Sequence, residues 1–160
     1  MHIEYFHHSM FGNGAAVAAE FSRLMTARGV TVSVHHMRDV KAKQPPAADL
    51  YVLSSPGRMG KPIRGARRFL NKANLPAGTK CAVLTTEAAP QPDRRTGQVP
   101  TPEELAKWQR VRPIIDAILQ EKGLVKVAEG CVQVTGLKGP LEQGWEQKVA
   151  DFADGLPLPA

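Results

Sequence analysis

The spacing of apolar residues changes repeatedly along the chain, and each change marks an element. Residues 2–7 (His-Ile-Glu-Tyr-Phe-His) form a short run with aromatic and β-branched side chains, the pattern of a strand. From about residue 13 to 28 the apolar positions fall at Val17, Phe21, Leu24 and Met25, which places them on one side of a helix. Gly29 closes it as the residue after the C-cap. Val30 to His35 alternates and predicts a second strand. The polar stretch 38–48 carries Pro45-Pro46 and leaves room for one short helical turn at most. Asp49 to Ser54 predicts a third strand. Its four consecutive apolar residues suit burial on both faces, as in a parallel sheet.

The second half continues the alternation. Residues 55–62 read as a long turn, with Pro62 suited to open a helix. Ala66, Phe69 and Leu70 give that helix an apolar side, to about Lys72. Lys80 to Thr86 predicts a fourth strand, and 87–100 a proline-rich loop. Thr101-Pro102-Glu103-Glu104 is a helix start, with Thr at the N-cap, Pro at the first position and Glu at the third. That helix should pass through Trp108, Val111, Ile115 and Leu119, kinked or split at Pro113, and stop at Gly123. Residues 124–127 and 132–134 predict a fifth strand interrupted at Gly130. Trp145, Val149 and Phe152 mark a last helix, and 156–160 a short tail.

Five strands alternating with helices predict an α/β fold. Its sheet would be parallel and doubly wound, with helices on both faces. No internal repeat or composition break divides the 160 residues, so 1–160 is expected to be a single domain. No apolar run approaches the roughly 20 residues a membrane helix needs, and the start lacks a signal-peptide pattern. The expectation is a cytoplasmic protein. Cys81 and Cys131 are distant in sequence and read as free thiols.

Charge adds one feature. The chain has 21 Lys and Arg against 15 Asp and Glu, and the excess is concentrated. Lys61, Arg64, Arg67, Arg68 and Lys72 follow Arg58 with no acid between 58 and 72. Arg64, Arg68 and Lys72 share one helix face by their spacing. A docking face for an acidic redox partner or an anionic substrate is one reading; a solvated helix surface is the other. Nucleic acid is not expected, because no nucleic-acid motif or aromatic interleaving accompanies the cations.

The candidate chemistry lies in the turns that follow strands. Ser9-Met10-Phe11-Gly12-Asn13-Gly14 joins the first strand to the first helix. Unpaired N–H groups and the peptide dipoles make such a helix start attractive to an anion, and glycines let the backbone approach it. Ser9 and Asn13 add side-chain donors. The turns at 55–61 and 85–92 should reach the same end of the sheet. Gly12 to Val17 misses the dinucleotide fingerprint, since Val17 holds the third glycine position, so NAD ranks below other phosphate ligands. The histidine pairs 7–8 and 35–36 sit on strands, where neighbours point to opposite faces, and no metal site is expected. No nucleophile elbow surrounds Ser9 or Ser54, and no catalytic side chain is singled out.

These residues resemble the flavodoxin-like family. Ser9 to Gly14 is similar to its phosphate loop, a hydroxyl residue followed by two variable positions and Gly-Asn-Thr, with Gly14 here in place of the threonine. Ser54-Ser55-Pro56-Gly57-Arg58-Met59-Gly60-Lys61-Pro62 is similar to the stretch after the family's third strand. Its Arg-Met-Gly-Lys form resembles the branch that includes menaquinone-dependent protoporphyrinogen oxidase. The resemblance implies a five-stranded sheet in the order 2-1-3-4-5 and a noncovalently bound FMN. It implies that Ser9, Met10, Phe11, Gly12, Asn13 and Gly14 hold the phosphate, that Ser55, Pro56, Gly57, Arg58, Met59 and Gly60 flank one side of the isoalloxazine, and that Thr85, Thr86 and Glu87 approach the other. Electron transfer or FMN-dependent oxidoreduction on a quinone- or porphyrin-like substrate would follow. The alternative is a binding module of the same fold without flavin, since neither flavin loop carries a stacking Trp or Tyr. By analogy with the family, a homodimer is also expected.

Overall fold

The computed structural model describes residues 1–159. Five strands form one parallel sheet: β1 (His2–His7), β2 (Thr31–His36), β3 (Leu50–Leu53), β4 (Lys80–Ala88) and β5 (Val125–Val134). Their order across the sheet is 2-1-3-4-5. The helices are α1 (Asn13–Ala27), α2 (Arg64–Lys72), α3 (Pro102–Trp108), α4 (Val111–Glu121) and α5 (Trp145–Asp154).

Alternation along the strands sends side chains into two cores. Ile3, Tyr5, Val52, Leu84 and Val132 pack against Val17, Phe21 and Met25 of α1 and Val149 and Phe152 of α5. Phe6, Leu53, Cys81 and Val83 pack on the other face against Ala66, Phe69 and Leu70 of α2 and Val111, Ile115 and Leu119 of α4. Burying each large side chain removes apolar area worth about 1.5–3 kcal/mol. The two layers together fix the sheet and hold its carboxyl-end loops in place. β3 is buried at all four positions, as its uninterrupted apolar run predicts.

Several boundaries differ from the sequence reading. Pro62 does not open a helix. Gly57–Arg58 and Lys61–Pro62 pair antiparallel as a small hairpin with Met59-Gly60 at its turn, and α2 begins at Arg64. Met59 (φ 52°) and Gly60 (φ 76°) are both left-handed, as a tight two-residue turn demands. β4 runs on to Ala88, so 87–88 is strand rather than loop; its end pairs with β5 up to Val134. The helix expected from Thr101 breaks at Gln109-Arg110, upstream of Pro113. Pro113 falls in the first turn of α4, where its missing N–H costs nothing. Thr101 caps α3 as expected, its hydroxyl accepting from Glu104 N at 3.2 Å.

Gly130 does not interrupt the fifth strand. The irregularity lies earlier, where Cys81 pairs with Lys126 but Ala82 with Ala128, so Val127 is the extra residue. Gly130 stays in register because a Cβ there would come within about 3 Å of Phe152 and Leu84 side-chain atoms; it lets α5 approach the sheet. Leu156 of the expected tail is buried in the first core, and Ala160 lies outside the described residues.

Candidate functional site

Strand order reverses between β1 and β3, so the loops that follow them run to opposite sides and leave a crevice at the carboxyl end of the sheet. A cavity of about 480 Å³ occupies this place. Volumes of this size accommodate a cofactor-sized ligand. Ser9, Met10, Phe11, Asn13 and Gly14 line one end, Pro56, Gly57, Arg58 and Met59 one side, and Thr86 and Ala88 the floor. Val134, Gly136 and Leu137 close the opposite side.

The end formed by 9–14 presents unpaired donors at a helix start. Gly12 takes a left-handed conformation (φ 89°) at the N-cap of α1, and no side chain caps this helix. Its first turn carries no acidic residue. Ala16 N is the first amide to close an intrahelical bond, to Gly12 O at 2.9 Å. The N–H groups of Met10, Phe11, Asn13, Gly14 and Ala15 have no acceptor among the described residues. Ser9 Oγ accepts from Gly12 N at 3.0 Å, which leaves its own proton available to a ligand. Unpaired amides and a hydroxyl lie together at this helix start, and the helix dipole adds positive potential there.

A histidine cluster supports this loop from beneath. His7 Nδ1 accepts from Ser9 N at 3.3 Å. His36 Nδ1 accepts from Arg38 N at 3.1 Å, so its Nε2 carries the proton and donates to Ser9 O at 3.2 Å. The His36 ring lies 5.2 Å from that of His7 and 4.6 Å from that of His8. Burial, aided by repulsion from His36, His8 and Arg38, pushes the His7 imidazole down to about 4. The His8 ring fits only because Gly65 on α2 has no side chain: a Cβ there would stand 2.3 Å from His8 Nε2. His7 and His36 thus hold the Ser9 backbone from its N–H and its carbonyl. Among the described residues no group of three or more His, Cys, Asp or Glu is arranged to hold a metal ion.

Five of the residues singled out from the sequence do not line the cavity. Gly12 and Gly60 act through the backbone. Gly60 Cα lies so close to α3 that a Cβ would meet Trp108 O at 2.1 Å, and its carbonyl accepts from Arg110 N at 2.6 Å. Ser55 is fully buried; its hydroxyl donates to Pro56 O at 2.8 Å and accepts from Ile63 N at 3.2 Å, fixing the hairpin base. Thr85 and Glu87 alternate with Thr86 and so point to the α4 side of the sheet. Thr85 Oγ1 donates to Glu87 Oε2, and Arg112 Nε donates to the same oxygen at 2.9 Å. Glu87 is 2% exposed, and its charge is matched by Arg112 instead of facing a ligand. Of the three expected residues 85–87, only Thr86 reaches the cavity.

The side formed by 134–137 was not singled out from the sequence. The signal available was the glycine pair Gly136 and Gly139 around Leu137 after a strand. The loop is tied to the 9–14 end from 125 residues away: Asn13 Nδ2 donates to Lys138 O at 3.2 Å, and Lys138 Nζ lies 5.6 Å from the centre of the Phe11 ring. Met59 and Leu137 are each 88% exposed and stand on opposite walls. Arg58 is the one charged lining residue. Cysteine chemistry has no place here, because burial raises the Cys81 thiol to about 11 and, with Glu87 beside it, Cys131 to about 12.

The fold is that of the flavodoxins. Flavodoxin 2 from Bacillus cereus superposes with a TM-score of 0.71 at 22% identity, over 97% of each chain. A flavodoxin from the domain Archaea gives 0.63 at 18% identity, over 96% of this chain and 97% of that one. Rubredoxin oxygen:oxidoreductase from Desulfovibrio gigas gives 0.65 at 13% identity; this chain covers 34% of its length, so the likeness is to one part of a larger protein. No family model matches the sequence, and no curated protein does.

Proposed function

We propose that the cavity binds FMN and that the protein takes part in electron transfer or FMN-dependent oxidoreduction. The observation that carries this reading is the anion end of the cavity, with five unpartnered amides, an uncapped helix and the Ser9 hydroxyl at its edge. The structural likeness to flavodoxins supports the same ligand. Bound there, FMN would supply the redox chemistry. Ser9 would donate to the phosphate, together with the unpartnered amides of Met10, Phe11, Asn13, Gly14 and Ala15. Met59 and Leu137, on opposite walls, would flank the ring system with aliphatic rather than aromatic contacts. Thr86 and the backbone of 56–58 would set its depth. Arg58 would place a positive charge beside it, and no acid lines the cavity to oppose one.

The finer reading is an oxidoreductase acting on a quinone- or porphyrin-like substrate. It is supported by the resemblance of residues 54–62 to the menaquinone-dependent protoporphyrinogen oxidase branch and by the exposed Met59 and Leu137 at the mouth, which suit a planar apolar molecule. The test is direct. The purified protein is titrated with FMN and riboflavin while flavin fluorescence is followed. FMN is expected to bind and riboflavin, which lacks the phosphate, to bind much more weakly; equal affinities would sink the assignment of the loop. A panel of quinones against the reduced holoprotein then tests the finer reading.

A further inference from the structure

We propose that the exposed face of α2, continued across the hairpin to the cavity mouth, is the docking surface for an acidic redox protein. This rests on the redox reading of the cavity. Residues 50–86 contain seven Lys and Arg and no Asp or Glu. The nine contacts between basic side chains and carboxylates among the described residues all lie elsewhere. Around α1 and α5 the cations are neutralised: Arg23 by Glu20, Arg28 by Asp154, Lys148 by Glu142. Along α2 none is.

That arrangement works against the monomer. Arg64, Arg68 and Lys72 repeat at four-residue spacing, and each like-charged pair is destabilising. Arg64 is the first residue of α2, where the helix dipole disfavours a cation. No side chain caps this end and no acid offsets it. Neighbouring segments extend the charge. The turn 37–39 packs against α2, and Asn74 N donates to Ala42 O at 2.9 Å, which holds Lys41 and Lys43 beside the helix end. Asp39 is the single acid among them.

The surface is contiguous with the site. Lys61 and Arg58 belong to the hairpin that opens into α2, and Arg58 also lines the cavity. Between them the hairpin turn exposes Met59, and the half-exposed Trp108 (53%) rests against Gly60. An apolar centre with a charged surround is how protein interfaces are built. A one-signed field speeds encounter with an oppositely charged partner. The apolar centre beside the redox cavity favours a folded protein over a polyanion, which would need charge alone.

The test measures binding by calorimetry with four probes: an acidic [2Fe–2S] ferredoxin, basic cytochrome c, a DNA duplex and phosphatidylglycerol vesicles. One-to-one binding of the ferredoxin at low ionic strength is expected, weakening as salt shortens the Debye length towards 10 Å. Combined Arg64→Gln, Arg68→Gln and Lys72→Gln should weaken it about tenfold or more. The melting temperature should stay level or rise, which separates docking from folding. Unchanged ferredoxin binding in the variant, no ferredoxin binding, equal binding of cytochrome c, or tighter binding of DNA or vesicles would each overturn the proposal. Each isotherm is recorded with and without FMN. Loss of flavin binding alone would therefore strike the redox reading and leave the docking measurement readable.

Discussion

Asn13 and Lys138 meet across the mouth of the cavity. The Asn13 side-chain amide donates to the Lys138 carbonyl at 3.2 Å, joining the loop after β1 to the loop after β5. Asn13 is also the first residue of α1, so one side chain both closes the site and stands at a helix start. The two roles separate on substitution. Asn13→Asp places a negative charge where the helix dipole favours it, a gain of about 0.3–1 kcal/mol that offsets the lost hydrogen bond to Lys138 O. The same charge repels a phosphate and removes the amide donor. A melting temperature that holds or rises while FMN affinity falls at least tenfold is expected. Parallel losses of both would show that residue 13 serves folding only.

Gly14 is open to improvement. It is buried in the first turn of α1, yet its φ is not left-handed, and a Cβ would meet Ser9 Cβ at 3.5 Å, an ordinary contact. Gly14→Ala should therefore stabilise the fold by about 0.5–1 kcal/mol through reduced freedom of the unfolded chain. Gly14→Thr adds a hydroxyl beside Ser9 and should tighten FMN binding several-fold relative to Gly14→Ala. Denaturant melts and flavin titrations of the two variants check this; no difference in affinity between them would place residue 14 away from the phosphate.

Substituting two other glycines should destabilise the fold to unequal extents. Gly12 and Gly60 are both left-handed, at φ 89° and 76°. Nothing lies within 4 Å of a Cβ at Gly12, so Gly12→Ala should cost about 1–2 kcal/mol from conformation alone. At Gly60 the Cβ would also overlap the Trp108 carbonyl, which is backbone and cannot swing aside. Gly60→Ala should cost clearly more than Gly12→Ala and shift α3. Chemical denaturation ranks the pair, and Trp108 fluorescence reports the shift.

The legible and illegible parts of this chain divide on physical grounds. The five main strands, α1 and α5 could be read from apolar period, because burial on one or both faces writes itself into residue spacing. Ser9 to Gly14 could be read as an uncapped, glycine-rich helix start because such a turn needs glycine where φ is positive, and Gly12 takes that conformation. Thr85 and Glu87 were misread because the sequence does not say where a strand ends; two further residues of pairing with β5 turn alternate side chains away from the cavity and hand Glu87 to Arg112. The 134–137 wall was missed because its link to Asn13 crosses 125 residues and leaves no local pattern. Gly130 resembled a strand break but is a point of close approach to Phe152, a fact that only packing reveals.

Acid should loosen the anion loop through His7. Its imidazole is held at about 4, chiefly by burial and then by repulsion from His36, His8 and Arg38, with Asp39 acting weakly in the other direction. The ordinary value is 6.5. Between these two values the unfolded chain takes up a proton that the folded chain resists, so stability falls as pH drops through this window and is level above it. The difference amounts to at most about 3 kcal/mol. Protonation also turns His7 Nδ1 from acceptor to donor and so breaks its hydrogen bond from Ser9 N. Flavin retention should decline over the same range. His7→Asn keeps a side-chain acceptor but cannot take up the proton. Thermal melts from about pH 7 to pH 4.5 should show a shallower fall in this variant than in the parent. Identical slopes would assign the acid sensitivity to His8 or to another group.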